Sequence, residues 1–295
     1  MADTILTDTP GWDELNVPTP GDSVKAALPN GAVRPGFQKL ANRTAAIIEG
    51  LHSPARTYLL LNPPVLYDLN ILPLGWVGLL DSGGHWTLIY HNVTTVYDVT
   101  TSGALAADTR YYIYGYESGG SLAFERSTTV PDTRLQYKTG DKSRVYVTTF
   151  VTTDLALPIG YTQSGRVFTY ETFVPSTTEG ATAAGPHGNL VLNDAVLVGA
   201  ATALSLGIAA PSYARQVIVR ASTVGIAAWS RVKITNQITS TESGRLFNFM
   251  GADDFGVQAV IDQPANRGAP AALYYRWDSV NAGMLLNLWV VGFVE

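Results

Sequence analysis

One segment near the N-terminus carries a helical pattern of hydrophobic positions. Between residues 35 and 51 the stripe positions recur at steps of three and four, which is the spacing of a heptad stripe along one face of an α-helix. The stripe consists of Phe37, Leu40, Thr44, Ile47 and Leu51. Pro35 stands where a first helical turn tolerates proline, and Gly50 and Pro54 end the pattern. The sequence therefore predicts one short helix within the segment 21–54.

This stripe fits two arrangements. The helix packs on a β-domain of its own chain, or three copies pack their stripes around a common axis, which is the interpretation that we favour. Isolated helices shorter than about 12 to 15 residues barely form in water, so the flanking domains have to support the helix in either case. Thr44 interrupts the aliphatic series, and the stripe alone therefore does not fix the number of copies.

After residue 55 the pattern changes to short stretches rich in β-branched and aromatic residues, separated by turns rich in Gly, Ser and Asp. In the first half the predicted strands are 57–61, 86–90, 94–99, 110–116, 121–125 and 144–151. In the second half they are 190–198, 203–208, 216–221, 231–236, 245–249, 256–260, 272–277 and 285–294. Such spacing predicts a mainly β protein with two antiparallel β-sandwich domains of jelly-roll type.

Composition divides the chain into five segments. The first segment predicts an extended docking arm, because three prolines oppose regular structure while Trp12 and Leu15 offer apolar anchors. A small, polar stretch in the middle of the chain predicts a linker. The predicted order is a docking arm at 1–20, an oligomerising helix at 21–54, a β-domain at 55–175, a linker at 176–188 and a C-terminal β-sandwich tip at 189–295.

The charge pattern narrows the classes of partner. Charged residues make up 15% of the chain, below the roughly 25% that is usual, and the net charge is −5 without any basic run. We therefore expect no nucleic-acid partner, which would need clustered Lys and Arg.

The chain has no cysteine, so disulfides and thiolate metal sites are excluded. We expect neither a secretion signal nor membrane insertion, since no apolar run reaches the roughly 18 residues that a spanning helix needs.

Catalytic patterns are weak in this sequence. His85 and His91 are six residues apart in a predicted strand, about 20 Å, which is too far for one metal ion. Carboxylates suited to sugar hydrolysis are Asp253 and Asp254 with Asp262, or Glu117 with Glu125, which are better interpreted as turn residues and surface neighbours across a hairpin. Nucleophile and phosphate-loop motifs are absent from the sequence. We therefore expect no enzymatic activity, cofactor or metal ion.

Aromatic residues are the remaining signal for binding. Tyr274, Tyr275 and Trp277 lie close together near the C-terminus. Exposed aromatic rings stack on sugars or fill protein interfaces, whereas buried ones make core contacts. These three residues are the candidate receptor contacts, and a place in the core or at a subunit contact is the alternative.

Two segments resemble virion proteins of tailed bacteriophages. The run GDSVKAALPNGAVRPGFQKLANRTAAI is similar to a segment near the N-terminus of fibre and baseplate components. From Leu105 to Phe150, a tyrosine-rich strand followed by KTGDKSRVY resembles a β-module of tail-fibre proteins with the pattern K-x-G-D-x-x-R-x-Y. The closing strand, with WVVGF, is similar to the ends of fibre tips.

The resemblance implies a trimeric tail fibre or baseplate-attached fibre, assembled in the cytoplasm of a bacterial host and located in the virion. Its N-terminal part would attach to other proteins of the tail, baseplate or capsid. Its C-terminal β-domain would face outward, towards a glycan of the host surface. A purely structural collar, neck or head-decoration fibre is the alternative, and a polysaccharide hydrolase is a third interpretation.

Overall fold

The computed structural model describes most of the chain from residue 57 onward. The described ranges are 57–60, 67–81, 83–171, 189–195, 202–224, 229–235, 245–250, 257–262, 272–279 and 285–295. The predicted docking arm with Trp12 and Leu15, the helix stripe with Phe37, Leu40, Thr44, Ile47 and Leu51, and the linker at 176–188 lie outside these residues.

The described residues form nineteen β-strands, and every pairing between them is antiparallel. In chain order the strands are β1 (Thr57–Leu60), β2 (Asp68–Ile71), β3 (Gly75–Leu80), β4 (Trp86–His91), β5 (Thr95–Asp98), β6 (Arg110–Ser118), β7 (Ser121–Ser127), β8 (Tyr137–Lys138), β9 (Asp141–Val151), β10 (Tyr161–Ser164), β11 (Val167–Tyr170), β12 (Leu190–Ala195), β13 (Thr202–Ser205), β14 (Gln216–Val224), β15 (Trp229–Thr235), β16 (Arg245–Met250), β17 (Val257–Asp262), β18 (Ala272–Ser279) and β19 (Leu285–Val294).

The prediction of a mainly β protein is confirmed. Each stretch predicted as a strand overlaps an observed strand, and all eight predicted after residue 189 are present. The strands that the sequence pattern missed are β2, β3, β8, β10 and β11. Four of these have only two to four residues, and β3 contains two glycines, so their β-propensity is weak.

The largest sheet has nine strands and is organised around β19. Its order is β17-β14-β19-β11-β10-β1-β2-β5, and β12 pairs with β19 beside this path. One side of β19 pairs with β14 along its length, whereas the other side pairs with β12 and then with β11. Strands that precede and follow the predicted linker therefore share one sheet.

A close contact between β11 and β19 lies at the centre of this sheet. Phe168 and Phe293 are directly opposite each other, and their rings stack with centroids 4.4 Å apart. The neighbouring Gly292 faces the backbone of β11, since a Cβ atom at this position would lie 2.3 Å from the carbonyl oxygen of Phe168. The two strands can approach this closely because residue 292 has no side chain.

Among the described residues, three smaller sheets accompany the large sheet. They are the hairpin β3-β4, the four-stranded sheet β7-β6-β9-β8 and the four-stranded sheet β13-β18-β15-β16. One face of the sheet β7-β6-β9-β8 contributes Tyr111, Ile113 and Val147 to the main hydrophobic core, which also contains residues of β14 and β19. On its opposite face Tyr112 and Tyr146 belong to a separate tyrosine cluster.

Strand β5 forms one edge of the large sheet and has only four residues. Its last residue, Asp98, lies opposite Asp68 of β2 and is exposed. Within β5 the side chains alternate between the core and solvent, with Tyr97 buried and Val96 exposed.

We predict that Gly292→Ala destabilises the protein by about 1–3 kcal/mol, the usual cost of inserting a methyl group into a packed site. The added methyl group would push β11 away from β19 and loosen the stack of Phe168 on Phe293. Urea denaturation measures the loss of stability, and hydrogen exchange should show faster exchange of the β11 amides. Thr169→Ala is the matched control, because Thr169 lies opposite Gly292 but is exposed. Equal stabilities of the two variants would contradict this account.

Candidate functional site

The predicted receptor contacts near the C-terminus lie on β18. Tyr275 is buried in the main core with 5% of its surface exposed, so its ring does not face a ligand. Tyr274 is partly exposed, and its contribution to binding stays a prediction. The side chain of Trp277 lies outside the described residues. The prediction for Tyr275 is corrected because alternation along β18 turns this residue inward beside Leu273.

The K-x-G-D-x-x-R-x-Y motif forms the turn between β8 and β9. Gly140 has a φ angle of +80°, a left-handed conformation in which glycine is strongly favoured. Asp141 holds the next part of the turn, because its carboxylate accepts hydrogen bonds from the backbone N–H and the hydroxyl of Ser143 at 2.9 and 2.6 Å. The conformation and the hydrogen bonds of this turn therefore explain why the motif has glycine at 140 and aspartate at 141.

The two basic residues of the motif converge on Glu125 of β7. Lys138 lies 3.1 Å and Arg144 2.9 Å from the two carboxylate oxygens. The Arg144 guanidinium also lies over the ring of Tyr116, at 4.5 Å from its centroid. Glu125 is therefore paired with two cations in a partly exposed ion cluster. This arrangement stabilises the sheet modestly, as is usual for ion pairs with access to solvent.

Glu117 and Glu125 are not the neighbours across the hairpin that the sequence suggested. In the register of β6 and β7, Glu117 lies opposite Leu122, and Glu125 lies opposite Tyr114. Glu117 instead accepts a hydrogen bond from the Gly120 N–H at the hairpin turn, at 2.7 Å. The prediction was wrong because the two-residue turn pairs Ser118 with Ser121, which places the two glutamates at different levels of the hairpin. Their carboxylates do not form a pair of the kind used in sugar hydrolysis.

A buried arginine connects the two halves of the chain. Arg110, at the start of β6, donates from its guanidinium to the carbonyl oxygen of Ile208, to the Thr149 hydroxyl at 3.1 Å and to the Tyr170 hydroxyl at 3.0 Å. The guanidinium also lies over the ring of Phe293, at 5.2 Å. Among the described residues, all of its hydrogen-bond acceptors are neutral oxygens. The free-energy cost of burying this cation is therefore not offset by a hydrogen bond to a carboxylate.

Tyr170 extends this hydrogen-bond network to the segment before β14. Its hydroxyl accepts from Arg110 and donates to the carbonyl oxygen of Ala209 at 2.8 Å. Burial raises the pKa of Tyr170, so the phenol stays protonated and keeps its role as a donor. Arg110 and Tyr170 together bind two successive carbonyl groups, those of Ile208 and Ala209.

A second group of tyrosines reaches the end of β19. The Tyr146 hydroxyl donates to a side-chain oxygen of Glu295 and lies 3.2 Å from the Tyr213 hydroxyl. Because the Tyr146 proton is used on Glu295, Tyr213 is the donor between the two phenols. Burial and then the nearby Glu295 carboxylate raise the pKa of Tyr213 well above its ordinary value. These contacts are structural, since Tyr146 and Glu295 are buried, Tyr213 is partly buried and the three groups satisfy one another.

The hairpin β3-β4 carries an exposed pair of aromatic rings. Trp76 and Tyr90 lie directly opposite each other, with ring centroids 4.9 Å apart and ring planes at 38°. They are 53% and 55% exposed, so each ring leaves about half of its surface to solvent. Leu88, two residues from Tyr90 on the same face, is 37% exposed. We call Trp76 and Tyr90 the aromatic platform.

The opposite face of the hairpin anchors the platform in the core. Val77 and Ile89, which alternate with the platform residues, are buried in the main core. His91 is buried next to Tyr90, and its ring packs edge-on against Phe124. A rigid, packed inner face thus holds two exposed rings in a fixed orientation.

His91 also connects the residues just before β3 and just after β4, at the open end of the hairpin. Its Nδ1 accepts a hydrogen bond from the Leu74 N–H at 3.2 Å, so Nε2 carries the proton and donates to the Thr95 hydroxyl at 2.9 Å. Burial lowers the pKa of His91 below its ordinary value. Protonation of Nδ1 would remove one of the two acceptors of the Leu74 N–H, the other being the His91 carbonyl oxygen at 3.1 Å. Burial of the ring is the main reason why the folded state favours its neutral form.

The sequence did not single out the platform, because Trp76 and Tyr90 are fourteen residues apart in the chain. The nearest signal is one of the turns rich in Gly, Ser and Asp, at residues 81–84. Reflection about the centre of that four-residue turn would place Trp76 opposite Ile89. The observed register is instead centred on Gly83, which places Trp76 opposite Tyr90.

The described residues contain no group of three or more His, Asp or Glu side chains arranged to hold a metal ion. No helix in the described ranges combines the length and apolarity needed to cross a membrane. The chain matches no protein-family model and no curated protein. Candidate functions are therefore argued from the motifs and from the geometry of these surfaces.

We predict that Arg110→Ala lowers the free energy of unfolding by about 2–4 kcal/mol, because it leaves the buried oxygens of Ile208 and Thr149 without their donor. Arg110→Lys keeps the charge but loses the planar set of donors, and we expect it to destabilise as well. Urea denaturation gives both values. Arg215→Ala, at an exposed position, serves as the control and should change stability by less than about 0.5 kcal/mol. A loss at Arg110 as small as this control would show that the network is not stabilising.

We predict that the free energy of unfolding decreases as the pH falls from about 7 towards 5, with His91 contributing to the decrease. The unfolded chain binds a proton at this residue near its ordinary pKa of 6.5, whereas the folded chain resists protonation until a lower pH. The contribution is therefore complete above the ordinary pKa and is lost at acid pH. Urea denaturation of the wild type and of His91→Asn at several pH values measures it. Parallel pH profiles for the two proteins would contradict the assignment to His91.

Proposed function

We propose that this chain is a structural protein of a tailed-bacteriophage virion, of the tail-fibre or baseplate type. In this proposal it assembles as a homotrimer and presents its β-rich part towards a glycan of the host surface. The observation that carries the proposal is the K-x-G-D-x-x-R-x-Y motif, whose Lys138, Gly140, Asp141, Arg144 and Tyr146 each have a distinct structural role. A pattern in which four residues make specific contacts and Gly140 supplies the left-handed turn conformation supports a shared β-module.

The proposed architecture has three parts: the N-terminal arm, the helix and the β-rich part. The β-rich part comprises two antiparallel sandwich domains of jelly-roll type, 55–175 and 189–295, which share one sheet through the pairing of β11 with β19 and one hydrophobic core. The N-terminal arm attaches to another virion protein through Trp12 and Leu15. The helix stripe at 37–51 sets the symmetry of the trimer, and the joined sandwiches continue as one rigid unit. No cofactor and no catalytic role are part of this proposal.

Among the alternatives, a purely structural collar, neck or head-decoration fibre would need no exposed contact surface for a ligand. The aromatic platform favours the receptor-binding form instead, since two half-exposed rings on a rigid hairpin have no partner among the residues described. Hydrolysis of a polysaccharide receives no comparable support from Glu117 and Glu125, which do not form a pair. Of the other candidate carboxylates, Asp253 and Asp254 lie outside the described residues. Asp262 accepts a hydrogen bond from the Gln216 side chain at 2.8 Å.

We predict that purified virions contain the chain and that the recombinant protein has the mass of three chains of 31.6 kDa each. Leu40→Asp should shift the protein towards monomers, because a carboxylate on the stripe opposes packing around an axis. Mass spectrometry of purified particles tests the first part, and light scattering at micromolar concentration tests the second.

Gln38→Asp is the matched control, because residue 38 is next to the stripe but off it, and this variant should stay trimeric. A wild-type monomer would overturn the proposed trimer. Particles that lack the chain would overturn the virion assignment, and a reconstruction in which the β-rich part is covered by other virion proteins would overturn receptor binding.

A further inference from the structure

The aromatic platform exposes more apolar surface than a surface hairpin needs. Trp76 and Tyr90 are large side chains that usually contribute to cores and interfaces, yet both are more than half exposed. Their own ring contact, with centroids 4.9 Å apart, leaves about half of each side chain exposed. Single exposed apolar residues are common, but two aromatic rings in one fixed arrangement indicate a contact surface.

The size of the platform favours a small ligand over a protein partner. With about half of each ring exposed, the two rings offer on the order of 200 Å² of aromatic surface. A stable protein interface buries roughly 800 Å² on each partner, so the platform supplies about a quarter of that area. The flat face of one or two pyranose rings, which carries C–H groups, matches a surface of this size.

The charge around the platform favours a neutral ligand. Strands β3 and β4 contain no Lys, Arg, Asp or Glu, and their one histidine, His91, is buried with a lowered pKa. Asp81 and His85 lie at the opposite end of the hairpin, in the turn. Phosphate, sulfate or carboxylate groups on a ligand would find no cation on these two strands, and the chain as a whole is acidic with a net charge of −5.

Two exposed polar residues follow the platform closely in the chain. The chain leaves Tyr90 through His91 and then runs through exposed Asn92 and Thr94 before it enters β5. Neither of these two side chains forms a hydrogen bond with the residues that the structure describes, so the amide and the hydroxyl are available to a ligand. Because His91 binds both Leu74 and Thr95, the loop that carries these polar groups is fixed relative to the platform.

We infer that the platform of Trp76 and Tyr90 is a binding site for a neutral oligosaccharide, with Asn92 and Thr94 as hydrogen-bonding partners of the sugar hydroxyls. The C–H face of a pyranose ring packs on the aromatic rings, and its hydroxyl groups point towards the loop. The inference rests on the proposed function for the source of the sugar, a host-surface glycan. It places the contact on the hairpin β3-β4 rather than on β18.

The test uses the full chain and a panel of neutral oligosaccharides built from glucose, galactose, mannose and N-acetylglucosamine. Titration calorimetry and the shift in tryptophan fluorescence measure binding. We expect at least one member of the panel to bind, and we expect Trp76→Ala and Tyr90→Ala each to weaken that affinity about tenfold or more. Tyr90→Phe keeps the ring and should retain most of the affinity.

Leu155→Ala is the matched control, because Leu155 is an exposed apolar residue in a different loop, at 74% exposure. Circular dichroism checks that each variant is folded, which the exposure of the replaced side chains favours. If no oligosaccharide of the panel binds at millimolar concentration, or if both alanine variants bind as well as the wild type, the inference is overturned.

The same variants separate this inference from the proposed function. If the wild type binds polysaccharide extracted from the host surface and the alanine variants bind it equally well, the platform is not the site and the proposed function still stands. If the platform variants lose oligosaccharide binding but the chain is absent from purified virions, the sugar site stands and the virion assignment fails.

Discussion

The pairing of β11 with β19 is the contact on which the rest of the fold depends. Without it, the strands before residue 171 and those after residue 189 would form separate sheets. It needs a residue without a side chain at 292, and it is reinforced by the stacking of Phe168 on Phe293. A contact of only three residue pairs therefore joins two halves of the chain into one sheet and one continuous core.

The Arg110 network explains why this junction has a single geometry. Apolar surfaces can slide against each other at small cost, whereas a buried guanidinium tolerates only the arrangement in which its donors are satisfied. Arg110 finds its acceptors on β9, on β11 and in the segment just before β14, so it defines their relative positions. Because those acceptors are neutral, we interpret the residue as a source of specificity more than of net stability.

The sequence predicted the β class and most individual strands because alternating β-branched and aromatic residues are a local signal. It did not predict how strands pair across the chain. The small, polar stretch at 176–188 predicted a boundary, but composition carries no information about the contact between Phe168 and Phe293, which are 125 residues apart. The lack of information about strand pairing also affected the candidate site. Tyr275 was selected for its aromatic neighbours, although strand alternation buries it. Trp76 was overlooked because its partner is on another strand.

The short edge strand β5 has a consequence for the protein at high concentration. An exposed sheet edge offers unpaired backbone groups to any other strand, which is how β proteins aggregate. Here the edge strand is four residues long and ends at Asp98, an exposed residue whose carboxylate accepts hydrogen bonds from the backbone N–H and the hydroxyl of Thr100 at 2.8 and 2.7 Å. A strand from another molecule would therefore find few backbone groups to pair with and a negative charge at the end of the edge. A chain rich in β-strands and poor in charge thus places one of its few charges where sheet-to-sheet polymerisation would begin.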